Sequence, residues 1–501
     1  MDRPATAARL ILVAVGVGIA AELLLDGHAL GVNVPLATAT LLVAAVSIAG
    51  GLRRLDSWDR WIPLTALTLA AFVAVRDDGP LALLNVVGAL GLTGASAAAL
   101  AGEQVTRRSS TAATALAGRV AAATLFGGMA LIHRLRAESA LRGPVVDRSR
   151  RALPVARGLA IAVPMLAVFG ALFASADPVF GRWLDQLFSL DVELGDVPGR
   201  ALFAAAATWL AGGLLWFVAV ARPVIEPRSL GAAAAPARVG WARLGIAESV
   251  TVLVALDLLF GVFVALQVAY LFGGLDTVSA IGMSYATYAR RGFFELVAVV
   301  VLAGGLLLGL EAVVERRTRA YVAAALALVG LSAVVLASSF LRLRLYQEAY
   351  GWTELRFYVL AAIVFLALCL GWAAVAIAGD RSRWLPHAVL ASSLVVLLLV
   401  NVLGPQGFVT DRNLERALDP TLVPSYGETA LDAAYLGGLG ADAIPALVAS
   451  FPGLSPAAQA DLLPALRRAH RRYVRDGDPA WQAANLARLR ARDALVGLFG
   501  P

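Results

Sequence analysis

Ser393 to Gly404 reads SLVVLLLVNVLG, a run of branched and straight aliphatic side chains with no alternation between apolar and polar positions. A strand that is lipid-facing on one side and wet on the other has to alternate, so the run predicts a helix. Extended backwards to residue 385 it covers about 20 residues, the length that crosses a hydrocarbon core of about 30 Å. Similar windows recur at 8–25, 31–50, 61–75, 80–102, 153–175, 201–221, 246–272, 292–313, 320–340 and 356–378. The expected fold is therefore all-α, a polytopic transmembrane helical bundle of about 11 spans.

Composition agrees with that expectation. Of 501 residues, 59% are hydrophobic and only 15% are charged, and the mean hydropathy is +0.77, far from the mix of a soluble globular chain. All 42 basic residues are arginine. Without lysine there is no Walker lysine, no Schiff-base lysine and no kinase-type lysine. The arginine and alanine excess has the character of a GC-rich bacterial chain. The single cysteine, Cys369, lies within FLALCLGWAAVA, which excludes an intrachain disulfide and predicts a packing role.

Arginine placement gives a sidedness. With the N-terminus in the cytoplasm of a bacterial cell, the inner segments hold 24 arginines, the outer loops 8 and the C-terminal tail the other 10. The stretch 113–132 is apolar but carries Arg119 near its middle and has basic flanks. A bare charge at the bilayer centre is costly, so an amphipathic surface helix is expected there. The organisation that results is an N-terminal four-helix membrane segment (1–103), a cytoplasmic basic segment (104–152), a membrane core of about seven spans (153–403) and a soluble helical domain (404–501) outside the cytoplasmic membrane. The first span reads as a signal anchor, since AELLLDGHALG offers no clean small-residue cleavage site. In the tail, Ser455-Pro456 and Asp478-Pro479 each place a capping side chain before a first-turn proline, ahead of amphipathic helices.

Charge on the expected outer face is concentrated in two places. SYATYARRGFFEL, Ser284 to Leu296, and LRLRLYQEAYGWTELRFY, Leu341 to Tyr358, hold five of the eight outer-loop arginines: Arg290, Arg291, Arg342, Arg344 and Arg356. Local partners are available, because Arg291 and Glu295, like Arg344 and Glu348, are four apart on a helix face. Glu354 opens a span with Thr353 as its expected cap. Tyr285 and Tyr288 join Tyr346, Tyr350, Trp352 and Tyr358 as an interfacial aromatic belt. The bland reading is an anchor whose arginines are paired internally or reach lipid phosphates; the functional one is an outward cleft whose guanidinium groups hold a phosphate or carboxylate. Deeper, Asp257 sits about eleven residues into its span and Gln267 lies about three turns further along nearly the same face, so both are intramembrane polar candidates. Gly305 and Gly309 form a small-xxx-small pair that suggests close helix packing.

At these blocks the chain resembles a known family. YARRGFFELVAV, YGWTELRFYVLA, DRNLERAL, LDAAYLGGLGADAIPAL and WQAANLARLRARDAL resemble the bacterial membrane family called domain of unknown function 4173, related to family 4153. The resemblance implies a polytopic membrane protein and carries over no activity and no catalytic residues.

Other chemistry finds little footing. His28, His133, His387 and His470 fall in separate segments without metal-ligand spacing, and no glycine-rich phosphate loop opens a helix after a strand. No catalytic residue, metal or cofactor is expected, and nucleic-acid binding has no support beyond the basic balance. The partners expected are membrane lipids, with an anionic amphiphile or an envelope protein as the specific one. Two functions lead: binding or transport of an anionic amphiphile or envelope component at the outer face, and a non-catalytic envelope scaffold or sensor acting through the C-terminal helices. A membrane-embedded enzyme is third.

Overall fold

The computed structural model describes residues 6–107, 110–140, 197–220, 245–272, 293–314, 317–379, 384–424, 431–477 and 480–501. Among them the chain is all-helical, and eight helices are long and apolar enough to cross a membrane. Three further apolar helices are shorter: Asn33–Ala49, Trp61–Val73 and Leu296–Leu307. The span expected at 153–175 lies outside the described residues, as do Tyr285, Tyr288, Arg290 and Arg291. The chain divides into two compact units, and the division does not fall at residue 404.

Unit 1 comprises Met1–Ala74, Val86–Val224 and Ala480–Ala484. Its helices are α1 (Ala7–Leu25), α2 (Asn33–Ala49), α3 (Trp61–Val73), the greater part of α4 (Gly79–Leu100), α5 (Ser110–Ala140) and α6 (Val197–Val220). Small residues dominate the core, with Ala7, Ala14, Ala45 and Ala97 packed around Leu10, Leu131 and Leu215. Backbones approach closely: a Cβ on Gly213 would press against the Ala123 and Thr124 carbonyls, and one on Gly128 would meet the Trp209 ring at 3.0 Å. Helices in lipid gain most from such contacts, because apolar area alone separates protein poorly from lipid tails. The pair singled out by spacing, Gly305 and Gly309, does not behave this way; nothing among the described residues comes within 4 Å of a Cβ built at either. Spacing marks a groove, and whether another helix fills it depends on tertiary neighbours.

α5 covers the stretch expected to lie on the surface because of Arg119. That arginine is not bare: its guanidinium pairs with Glu103 at 2.9 Å and sits 5.7 Å from the Phe217 ring. By length and composition Ala112–Glu138 ranks among the eight candidate spans. Its course, however, is oblique to α6. Arg134 lies 5.6 Å from the Trp216 ring, so side chains separated by about 22 Å of helix rise return to adjacent residues of α6. Between them, Gly127 crosses Gly213. At its far end Glu138 accepts from the Ala7 N–H at 3.1 Å.

Unit 2 comprises Val75–Asn85, Ile225–Pro479 and Asn485–Pro501. Five long helices follow: α7 (Ile246–Phe272), α8 (Phe293–Val313), α9 (Arg319–Tyr350) and α10 (Glu354–Ala378) pack around Leu253, Val300, Leu328, Leu336 and Ile363, and α11 (Leu385–Leu403) lies against α10, where Trp372 Nε1 donates to Ser392 Oγ at 3.1 Å. Then come α12 (Pro405–Leu418), α13 (Ala433–Leu436), α14 (Ile444–Ser450), α15 (Pro456–His470) and α16 (Leu486–Phe499). Several starts are set by side-chain caps: Thr318 accepts from Tyr321 N, Thr353 from Arg356 N, Asp432 from Tyr435 N, Ser455 from Ala458 N and Asn485 from Arg488 N. The C-terminal helices share a hydrophobic core with the ends of the long ones. Leu81, Phe357 and Val400 belong to the same buried cluster as Val409, Leu436, Ile444, Leu466 and Leu495. Segments 75–78, 350–354 and 401–404 consequently meet at one end of this unit.

Candidate functional site

That shared end begins with Val75-Arg76-Asp77-Asp78-Gly79, a short charged turn ahead of α4. Arg76 spreads its guanidinium over three acceptors, Asn401 O at 2.8 Å, Val402 O at 2.7 Å and Asp442 Oδ1 at 3.0 Å. The two carbonyls come from the last turn of α11, whose C-terminal groups otherwise lack partners. Asp442 also accepts from the Asp77 N–H at 2.9 Å, while Asp77 accepts from Tyr473 Oη at 3.3 Å and faces Arg488 at 3.5 Å. Asp78, 2% exposed, caps α4 by accepting from Leu81 N and takes the Tyr358 hydroxyl on both its oxygens. Burial pushes the Asp78 carboxyl above its ordinary value; the Leu81 and Tyr358 donors oppose that rise, and the neighbouring Asp442 and Asp77 add to it. Burial, helped by Asp77, likewise raises the Tyr473 phenol to about 12. Below this layer the Asn85 and Asn401 carboxamides exchange hydrogen bonds at 2.7 and 2.8 Å, both fully buried.

Gly404 turns the chain out of α11 at φ 68°, and a Cβ there would collide with the Arg76 guanidinium. Glycine is required on both counts.

Beside this layer opens a cleft of about 220 Å³ walled by the α9–α10 turn, α12 and α13, with Arg356, Arg416, Asn413, Asp432 and Tyr435 on its lining. Asn413 holds the turn as a strand neighbour would, accepting from Trp352 N and donating to Trp352 O, each at 2.8 Å. Gly351, at φ 75°, leaves room for that side chain. Arg356 donates to Tyr350 O at 3.2 Å and Gly351 O at 2.5 Å and lies 4.0 Å from the Tyr346 ring. Arg416 donates to Glu348 O at 2.6 Å and Ala349 O at 3.3 Å. Both cations thus sit on the negative end of the α9 dipole. Burial, and after it the nearby Arg356, makes the Arg416 guanidinium easier to deprotonate than usual, with Glu348 working the other way. It remains a cation, as guanidinium groups do in proteins.

The residues expected to form the site fare differently. Arg344 pairs with Glu348 at 3.4 Å, as its spacing suggests. Arg356 turns to backbone carbonyls and a tyrosine ring, while the Glu354 N–H donates to Tyr435 Oη at 2.7 Å. Among the described residues Glu354 Oε1 finds no hydrogen-bond partner. Arg342 is half-buried on α9. Asp257 is half-buried within α7, and its Oδ1 has no partner among the described residues. Gln267 and Glu295 fall on α7 and α8, and their side chains lie outside the described set. Sequence reasoning missed Arg416, Asn413, Tyr435 and the Arg76–Asp78 turn. Asn85 and Asn401 left a usable signal, since each is a lone carboxamide in an apolar run. No group of three or more metal-ligating side chains gathers among the described residues.

A family model with the description "Domain of unknown function (DUF4153)" matches residues 64–450, well over half of the chain, and the chain belongs to that family. The resemblance noted in the sequence blocks therefore resolves to the related family. No curated protein and no solved structure matches the chain.

Proposed function

Starting from membership of a family whose description assigns no activity, we propose that this multi-pass protein binds the anionic headgroup of an amphiphile in the cleft between the α9–α10 turn and α12. One observation supports the reading above others: Arg356 and Arg416 both line this cleft, close enough to act on each other, and each donates to main-chain carbonyls at the C-terminal end of α9. Carbonyls steady a guanidinium without cancelling its charge. Among the described lining residues two guanidinium groups stand beside one carboxylate, Asp432, and guanidinium donors match phosphate and carboxylate oxygens in pairs.

In this reading the cleft faces outward from a bacterial cytoplasmic membrane, with the N-terminus inside and about 11 spans. The meeting of 75–78, 350–354 and 401–404 at one end supports the relative sidedness, since the arginine distribution puts all three on one face. A closer kinship with family 4173 rests on the ordered sequence blocks. The scaffold or sensor reading draws its support from the C-terminal helices, which pack as one core with α4, α10 and α11.

The test is saturable binding of phosphatidylglycerol, against phosphatidylcholine, to the detergent-solubilised full-length protein. We expect Arg356→Gln and Arg416→Gln each to weaken binding of the anionic lipid about tenfold, the scale of one lost charge-assisted contact. Arg151→Ala is the control and should match the native protein. Equal losses in all three variants would leave only diffuse charge attraction and end the proposal.

A further inference from the structure

A second, smaller cleft of about 120 Å³ adjoins the first, with Trp352 and Arg416 lining both. Its lining includes Gln347, which is 1% exposed, and among the described residues neither its Nε2 nor its Oε1 has a hydrogen-bond partner. A buried carboxamide with donor and acceptor both idle is costly in a folded protein, and it is answered by water or by a ligand. The carboxylates of this cleft are already occupied: Glu348 pairs with Arg344 at 3.4 Å and Glu415 with Arg412 at 2.8 Å. Among the described residues, the buried side-chain donor and acceptor on this lining that have no partner are those of one neutral amide.

We propose that this cleft takes a vicinal diol. One hydroxyl donates to Gln347 Oε1 while its neighbour accepts from Nε2, and the two hydroxyls of a 1,2-diol have about the spacing of the two ends of a carboxamide. Because the cleft shares Arg416 with the cation-lined one, the ligand class becomes a phosphate ester that carries an adjacent diol, a phosphoglycerol group above all. This deepens the anion-binding reading and rests on it. A lipid headgroup and a free glycerol phosphate both present that chemistry.

The experiment compares two monoanionic lipids of matched acyl chains on the full-length protein in detergent micelles: phosphatidylglycerol, which has the diol, and phosphatidylethanol, which lacks it. Phosphatidylglycerol is expected to bind about tenfold more tightly. Gln347→Met keeps the side-chain volume and should bring phosphatidylglycerol down to the phosphatidylethanol affinity, leaving the latter unchanged. Equal affinities in the native protein overturn the diol assignment while the anion site stands, and that comparison needs no variant to fold. A preference that survives in Gln347→Met overturns the role of Gln347. Saturable binding of neither lipid removes both this inference and the reading beneath it. Displacement of phosphatidylglycerol by free glycerol phosphate at similar concentration upholds the chemistry with a soluble source; failure to displace it upholds the chemistry with a lipid source.

Discussion

Unit 1 and the polar end of unit 2 both bring charge into apolar surroundings, and they differ in what is left over. In unit 1 inward charge meets its opposite or a set of donors at once. Glu22 pairs with Arg200, and the Glu103 carboxylate, with no exposed side-chain surface, pairs with Arg119. Asp59, 1% exposed, accepts from Val105 N, Thr106 N and Thr106 Oγ1 at 2.6–3.1 Å. In unit 2 Arg76 pairs with Asp442 in the same manner, but beside the cleft Arg356 and Arg416 donate to main-chain carbonyls, and among the described residues the buried Gln347 side chain has no hydrogen-bond partner. Saturated polar groups hold helices together; a buried amide without a partner beside a cleft has capacity left for a ligand.

The contrast breaks most visibly where a saturated group is cut. Arg76→Ala would take the cation from Asp442 and a donor from each of two α11 carbonyls together, and removing one member of a largely buried pair costs about 3–5 kcal/mol. Denaturant or thermal unfolding in detergent should show it, and a loss under about 1 kcal/mol would mean that the turn behaves as exposed surface. Gly213→Ala tests the packing that unit 1 uses instead. Its Cβ meets backbone carbonyls of α5, which yield less readily than a side chain, so a loss of about 1–3 kcal/mol is expected. No loss would show that α5 and α6 are free to separate at that crossing.

The smallest effect concerns pH. Folding raises the Asp78 carboxyl above its ordinary 3.8, so the folded chain holds this proton more tightly than the unfolded one. The contribution to stability is then greatest below that value and declines as pH climbs through the elevated folded value. Asp78→Asn should remove the decline and flatten the unfolding midpoint across the weakly acidic range. A variant whose midpoint still falls with rising pH as steeply as the native protein's would assign the slope to other carboxylates.

What could be read in advance follows from distance along the chain. Helical runs, the Thr353 and Ser455 caps and the Arg344–Glu348 pair are written within four residues of themselves, and they were legible. Arg356 was legible as a functional candidate but its partners were not, because carbonyls leave no mark on composition. Arg76 and Asp442 are 366 residues apart and Tyr358 and Asp78 are 280 apart; no periodicity connects such pairs. Arg416 sat in the segment 404–501 that was expected to form a separate soluble domain. The shared core of α12–α16 with Leu81, Phe357 and Val400 is what makes it a wall of the cleft. For the same reason, deletion of 404–501 would uncover apolar surface on the long helices and confound any test of the scaffold reading.

The reciprocal amides of Asn85 and Asn401 bear on how the chain is made. They are separated by 316 residues, so α4 is synthesised long before α11 exists. During that interval the Asn85 carboxamide lacks its eventual mate, and a translation product that stops short of residue 401 never supplies it.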